Sequence, residues 1–173
     1  MKAVSRRRAL PLLGAAASGV AGGATADTGS GVQGIIDGAF ILEEWHIDDN
    51  VYRPPQVDGR AVFLNGAVVV VLINKAHEEK QFTVALLGAY TLSAELFSYR
   101  YDNASIFIQT GSAIEVSHRP PWEGMRDFDL TKEGDALRLR SRSSEHAEFL
   151  VNAEGQKYWE GGKLVRVWRR ATA

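Results

Sequence analysis

The chain has 173 residues, a formal net charge of −1 and no cysteine. The absence of cysteine excludes disulfide bonds, thiolate metal sites and a cysteine nucleophile. This length predicts one domain with a hydrophobic core of its own.

The first segment, residues 1–26, has the three parts of an export signal. Three consecutive arginines are followed by a short Ala- and Gly-rich run and by Ala24-Thr25-Ala26, a small-residue cleavage site. Pro11 and several glycines interrupt the run, whereas a membrane-spanning helix needs about 20 continuous apolar residues. We therefore predict a signal peptide that is removed before Asp27.

The Arg6-Arg7 pair, preceded by Ser5 and followed by Leu10, resembles the twin-arginine signal of bacteria, although Ala9 stands where that pattern prefers Phe. The general secretory route is the alternative, and both predict a periplasmic or secreted protein. Removal of residues 1–26 leaves 147 residues with 16 basic and 21 acidic side chains, a net charge of about −5. Nucleic acids and anionic membranes select basic surfaces, so neither is expected as a partner of the mature chain.

Residues 27–37 are Gly-rich and predict a flexible linker, with at most one helical turn over residues 35–40. Beyond them, short β-branched and alternating runs predict strands. These cover about 39–47, 60–64, 67–74, 81–87, 89–100, 104–110, 112–118, 125–131, 136–142, 146–151, 156–159 and 163–170.

Tight turns separate many of these strands. Asn65-Gly66 predicts a two-residue type I′ hairpin, because both residues accept a positive φ. Gly134 and Gly161-Gly162 mark further turns of the same kind. Short antiparallel strands at regular spacing predict an all-β, up-and-down meander that closes into a small barrel and so removes its exposed edges.

Three stretches resemble the bacterial lipocalin-like domain family of calycin-type barrels. They are the opening strand over residues 38–45, the segment EVSHRPPWEGMRDFDLTKEGDALRLRS over 115–141, and the final strand over 164–170. The resemblance implies a barrel over residues 38–170 that binds a small hydrophobic molecule. Phe40 stands where the family usually has a Trp packed under an Arg, so Trp45 or Trp168 is expected to fill that role.

The strand over residues 112–118 carries the most suggestive candidate chemistry. Its alternation places Ile114, Val116 and His118 on one, mainly apolar face, which we expect to line the lumen, and Glu115 on the other. A neutral imidazole there could act as a general base near neutral pH. The alternative is a rim histidine bonded to backbone.

Aromatic residues on the predicted strand over 89–100 suit a pocket for an amphipathic ligand or ordinary cross-strand packing, and Phe97 and Tyr99 are the candidates for the pocket. Trp122 follows two prolines and is either a lid over the barrel mouth or a surface anchor. One of Glu43 and Glu44 is expected to point inward, and it would need a cationic partner such as Arg126 or Arg100.

Two function classes remain. The first is a binder of a small hydrophobic or amphipathic molecule in the lumen; the second is a cyclase, hydratase or isomerase acting on a lipid-like substrate there, and fold alone does not separate them. The predicted ligand-binding residues are Phe97, Tyr99, Ile114, Val116, His118, Trp122 and Arg126. The catalytic candidates for an enzyme are His118, Glu115 and Tyr99. The four histidines lack metal-ligand spacing, so no metal or cofactor is expected, and a homodimer is left open.

Overall fold

The structure, a computed structural model, describes residues 28–77, 79–143 and 146–172. The predicted export signal over residues 1–26 lies outside the described residues. One helix and twelve strands are found in the described part of the chain. They are α1 (Thr28–Ile36), β1 (Gly38–Ile47), β2 (Asn50–Tyr52), β3 (Val57–Leu64), β4 (Ala67–His77), β5 (Lys80–Leu92), β6 (Leu96–Thr110), β7 (Ala113–Arg119), β8 (Arg126–Glu133), β9 (Ala136–Ser141), β10 (Glu148–Val151), β11 (Gly155–Glu160) and β12 (Lys163–Arg170).

The strands form one antiparallel sheet that closes on itself. Neighbours follow the order β1-β3-β4-β5-β6-β8-β9-β10-β11-β12, and β12 pairs back onto β1 to close a barrel of ten described strands. The short β2 pairs with the far end of β1, and β7 pairs with the far half of β6. The predicted all-β meander, closed into a barrel, is therefore confirmed.

The turn chemistry sets the register of the hairpins. Asn65 and Gly66 have φ values of 50° and 82° and join Leu64 directly to Ala67, the two-residue connection that the sequence predicts. Gly161 and Gly162, with φ of 56° and 78°, join β11 to β12 in the same way. These turns match the right-handed twist of their strands, so sequential strands pair as neighbours.

Helix α1 occupies most of the segment that was predicted to be a flexible linker, residues 27–37. In α1, Ile36 is buried in the barrel core, and Val32 and Ile35 pack against that core. Gln33 Nε2 donates to the Tyr90 hydroxyl at 3.0 Å, and that hydroxyl donates in turn to the Asp37 carboxylate. The glycines lower helix propensity, so tertiary packing accounts for the helix, which covers one end of the barrel.

Arg170, near the end of β12, holds the carboxyl end of α1. Its Nη1 donates to the Asp37 carbonyl at 2.6 Å, and its Nη2 donates to the carbonyls of Ile35 and Asn152. Its guanidinium carbon lies 4.8 Å from the ring centroid of Phe40. Phe40 itself therefore fills the position under the arginine, and the expectation that a tryptophan takes this role is wrong.

Strand β1 contains a bulge that the alternation did not predict. Leu42 pairs with Trp168 and Glu44 pairs with Val167, so Glu43 is an extra residue in β1. Glu43 is exposed beside Arg169, and Glu44 bonds His46 and Arg53 outside the barrel. Neither glutamate points inward, which corrects the expectation of a buried carboxylate paired with Arg126 or Arg100.

Candidate functional site

The barrel encloses a cavity of about 370 Å³. Apolar side chains dominate the wall on the side of α1: Ile36, Ala61, Phe63, Val70, Leu72 and Phe97. Large amphipathic side chains line the opposite, mouth end: Trp45, Tyr99, Tyr101, Trp122, Tyr158 and Arg166. An apolar wall with a few polar groups at one end is the usual composition of a small-molecule site.

Contacting aromatic rings form the floor of the cavity. The ring of Phe63 lies 5.7 Å from Tyr90 and 6.3 Å from Phe97, measured between centroids. Phe97 continues the cluster to Phe128 at 6.1 Å. Such offset and tilted contacts are favourable ring arrangements, and the cluster gives the cavity a rigid base.

The mouth is built on the inward residues of β6 and on the segment that leads into β8. Tyr99 and Tyr101 alternate inward, and Trp122 packs on both rings, at 5.7 and 4.8 Å between centroids. The Trp122 backbone N–H donates to the Tyr101 carbonyl at 3.0 Å. The guanidinium carbon of Arg126 lies 4.0 Å from the centre of the Trp122 ring. Trp122 is therefore part of the cavity wall at the mouth, and its role as a lid stays a prediction.

Arg166 is the cation at the inner surface of β12. It pairs across the sheet with Trp45 of β1 and with Tyr158 of β11. Its guanidinium carbon lies 5.2 and 5.3 Å from those two ring centroids. Its Nε is buried and has no hydrogen-bond partner among the described residues.

Burial changes the protonation behaviour of the mouth. It raises the pKa of Tyr158 to about 12, and it raises the pKa of Tyr101 further above the ordinary value. Burial also lowers the pKa of Arg166, while the surrounding tyrosines and the Glu160 carboxylate act to raise it. Near neutral pH the tyrosines are therefore neutral hydroxyls, and Arg166 remains a cation because a guanidinium does not lose its proton in this range.

Strand β7 lies outside the cavity wall, which corrects the expected lumen placement of Ile114, Val116 and His118. Ile114 and Val116 are 64 % and 48 % exposed, and His118 is also exposed. Strand β8 pairs with the first part of β6, and β7 pairs with only the remainder. The ten-strand barrel thus closes without β7.

The pairing also shows that the expected parity of β7 is reversed. Cavity-lining Phe82 pairs with Ile108, and Ile108 pairs with Glu115, so Glu115 shares their face. His118 pairs with Ser105 on the opposite face, where Ser105 Oγ and His118 Nδ1 are 2.9 Å apart. The structure therefore separates His118 and Glu115 from Tyr99, the third catalytic candidate, which lines the cavity.

The structure brings together four of the seven predicted ligand-binding residues. Phe97, Tyr99, Trp122 and Arg126 line one cavity, and their role in ligand binding stays a prediction. Arg166 and Tyr158 also line the cavity and were not predicted from the sequence. The alternation Arg166, Trp168, Arg170 on one face of the last strand is the signal that could have identified Arg166.

Comparison of the chain with protein-family models, with curated proteins and with solved structures gave no match. The closed antiparallel barrel is consistent with a calycin-type fold. In the described part of the chain, no helix is both long and apolar enough for a transmembrane span. Within the same residues, no group of three or more His, Asp or Glu side chains is arranged to hold a metal ion.

Proposed function

We propose that this protein binds a small hydrophobic or amphipathic molecule inside the barrel. The observation that carries the proposal is the cavity of about 370 Å³ in a wall of aromatic and aliphatic side chains. Its volume falls in the lower part of the range of small-molecule sites, about 300–1,000 Å³. The likeness of the sequence to the lipocalin-like domain family supports the same class of function.

Binding is favoured over the enzyme alternative because of where the candidate acid and base groups lie. His118 and Glu115 belong to β7, outside the cavity wall, and only Tyr99 of the catalytic candidates lines the cavity. A general base must come within hydrogen-bond reach of the proton it removes. Tyr99 alone does not form the acid–base pair that the enzyme alternative needs.

The proposal also covers the localisation of the protein. The arginine-headed segment before Asp27 supports export by a twin-arginine-like signal to the periplasm or the exterior. The net charge of about −5 after removal of this segment supports a mature chain that binds neither nucleic acid nor membrane. The partner is then a small hydrophobic molecule met outside the cytoplasm, and a homodimer remains an open prediction.

A neutral fluorescent probe tests lumen binding. N-phenyl-1-naphthylamine brightens in apolar surroundings, and we expect saturable binding of one molecule per chain. Ala61→Phe should abolish that binding, because Ala61 lines the cavity and the added ring would occupy it. Val62→Phe, the neighbouring residue of β3 and 37 % exposed, is the matched control and should bind normally.

Circular dichroism and urea unfolding of both variants show whether each one folds. If Ala61→Phe does not fold, Val84→Trp, at another cavity-lining position, replaces it. Probe binding that is equal in wild type and in the folded cavity-filling variant would contradict a ligand site in the lumen.

A further inference from the structure

Arg138 of β9 and Arg142, just after β9, have carboxylate partners on the outer surface of the barrel. Arg138 Nε donates to Glu133 at 2.7 Å, and a second nitrogen of the same guanidinium donates to Glu148. Arg142 Nη2 lies 2.6 Å from the Asp129 carboxylate. These pairs are the usual arrangement for arginine, whose planar fork of N–H donors fits a carboxylate.

Arg166 lacks such a partner within the described chain. Its neighbours Trp45 and Tyr158 present ring faces, which attract the cation but accept no in-plane hydrogen bond from it. Glu160 lines the same cavity and its charge favours the protonated form of Arg166, yet no hydrogen bond or ion pair between the two side chains is found in the described residues. The buried Nε without an acceptor shows that the donor set is incomplete.

Arg170 shows what a structural arginine does in the same strand. Its Nε is also buried without a partner, but both of its terminal nitrogens donate to backbone carbonyls of α1 and its flanks. Arg170 therefore holds a helix in place. Arg166 faces the cavity, and no backbone or carboxylate acceptor for it is found in the described part of the chain.

Stability does not account for an arginine at position 166. Removing a charge from water is costly unless hydrogen bonds and an opposite charge compensate for it. Apolar residues of similar volume often replace buried charges with no loss of stability. A cation kept in such a place is typical of a functional site, where stability is given up for binding.

We infer that the cavity binds an amphipathic molecule whose carboxylate pairs with Arg166 and whose apolar body lies against the aromatic floor. This inference rests on the proposed lumen binding. The neutral hydroxyls of Tyr101 and Tyr158 line the same end of the cavity and can donate further hydrogen bonds. A single negative charge fits better than a dianion, because the Glu160 carboxylate lines the cavity as well.

Three C10 probes that differ in the head group test the inference by displacement of N-phenyl-1-naphthylamine at pH 7.5. Decanoate should bind wild type more tightly than 1-decanol or decylammonium. Arg166→Met should weaken decanoate binding about 10- to 100-fold, the range expected for loss of a charge-assisted hydrogen bond. The preference of the same variant for decanoate over 1-decanol should be lost.

Arg169→Met is the matched control, because Arg169 is an exposed residue of the same strand as Arg166. Its Nε lies 3.5 Å from the Glu43 carboxylate, outside the barrel. It should leave the affinity for decanoate unchanged. Urea unfolding provides a second readout: Arg166→Met should be as stable as wild type or more stable. If Arg166→Met fails to fold, the test uses Arg166→Gln and the relative affinities of wild type for the three probes.

The outcomes separate the two proposals. Absence of dye binding to wild type means that the proposed lumen binding fails. Dye binding with equal affinity for decanoate and 1-decanol, or an unchanged decanoate affinity in Arg166→Met, overturns the carboxylate inference alone. Tighter binding of decyl phosphate than of decanoate, lost in Arg166→Met, would replace the carboxylate with a phosphate head group.

Discussion

Arg170 and Arg169 are sequence neighbours with different environments, and this contrast tests the role assigned to Arg170. Arg170→Met removes the hydrogen bonds to the carbonyls of Ile35 and Asp37 and should lower the free energy of unfolding by about 2–3 kcal/mol. Arg169→Met removes one exposed contact with Glu43 and should cost less than about 1 kcal/mol. Urea denaturation of both variants measures the difference.

Equal losses in the two variants would contradict the role of Arg170 in holding α1. The helical signal in circular dichroism is an additional check, because only Arg170→Met should loosen the helix. A variant with wild-type stability but a lost helix would mean that α1 contributes little to the barrel.

Tyr158 gives the stability a defined dependence on alkaline pH. Its pKa is about 12 in the folded protein, whereas an unfolded tyrosine titrates near pH 10. Above about pH 10 the unfolded chain loses this proton first, so stability that is fully present below pH 10 decreases as pH rises toward 12. Tyr158→Phe should therefore lose less stability than wild type between pH 9 and pH 11.

Urea unfolding at several pH values measures this dependence. Parallel profiles for wild type and Tyr158→Phe would show that the Tyr158 hydroxyl is not buried as described.

At the level of single elements, two glycines should respond in opposite directions to the same substitution. Gly66→Ala places a side chain at φ 82° in the β3–β4 turn and should destabilise the protein by about 1 kcal/mol. Gly34→Ala lies in α1, where a Cβ meets nothing within 4 Å, and should stabilise by about 0.5–1 kcal/mol. Thermal unfolding of the two variants should shift the midpoint in opposite directions.

A gain in stability from Gly66→Ala would refute the type I′ turn. A loss from Gly34→Ala would show that residue 34 lacks a helical conformation in solution. The turn and the helix both bond Tyr90, through its backbone N–H and its hydroxyl, so each variant is measured alone.

The elements themselves could be predicted from local sequence, because alternation and turn residues act over a few positions. Most strands and the Asn65-Gly66 hairpin therefore appear where the sequence predicts them. The turn between β5 and β6 was misplaced: it lies at residues 93–95, inside the strand predicted over 89–100. The bulge at Glu43 could not be predicted, because the extra residue is defined by the partner strand β12. Helix α1 was missed for a similar reason, since its stability comes from contacts with distant strands.

Only part of the candidate site could be predicted from the sequence, because bulges and strand pairing decide which side chains face the cavity. The aromatic face of β6 was correctly identified as a wall, because its alternation is unbroken from Phe97 to Tyr101. The predicted orientation of the β7 side chains was wrong because it depends on how β7 pairs with β6. That pairing lies beyond a second irregularity, between Leu87 and Gly88 of the β5–β6 pair. One extra residue in a strand moves every later side chain of that strand to the opposite face of the sheet.

At the scale of the whole molecule, closure of the barrel depends on the pairing of β1 with β12. Ile41 lies directly opposite Arg169 in that pair. Because the chain has no cysteine, the double variant Ile41→Cys/Arg169→Cys offers one defined disulfide across the closure. Oxidation should stabilise the protein by about 2–4 kcal/mol, because the bond closes a long loop in the unfolded chain.

Thiol titration and urea unfolding, with and without reductant, measure formation of the bond and its effect. Ile41→Cys/Lys157→Cys is the control, because β11 is separated from β1 by β12. Two strand spacings of about 4.8 Å exceed the reach of a disulfide. A bond that forms equally well in the control, or in neither variant, would contradict the described closure.

The helix held by Arg170 over one end of the barrel has a consequence for exchange kinetics. With that end covered by α1, a ligand of the proposed kind would enter and leave at the opposite end, past Trp122 and Tyr101. A ligand that enters with its apolar tail first would leave its head group nearest the opening, where it arrives last and is released first. The residues at the opening would then set the residence time, and the length of the cavity would set the length of the ligand that fits.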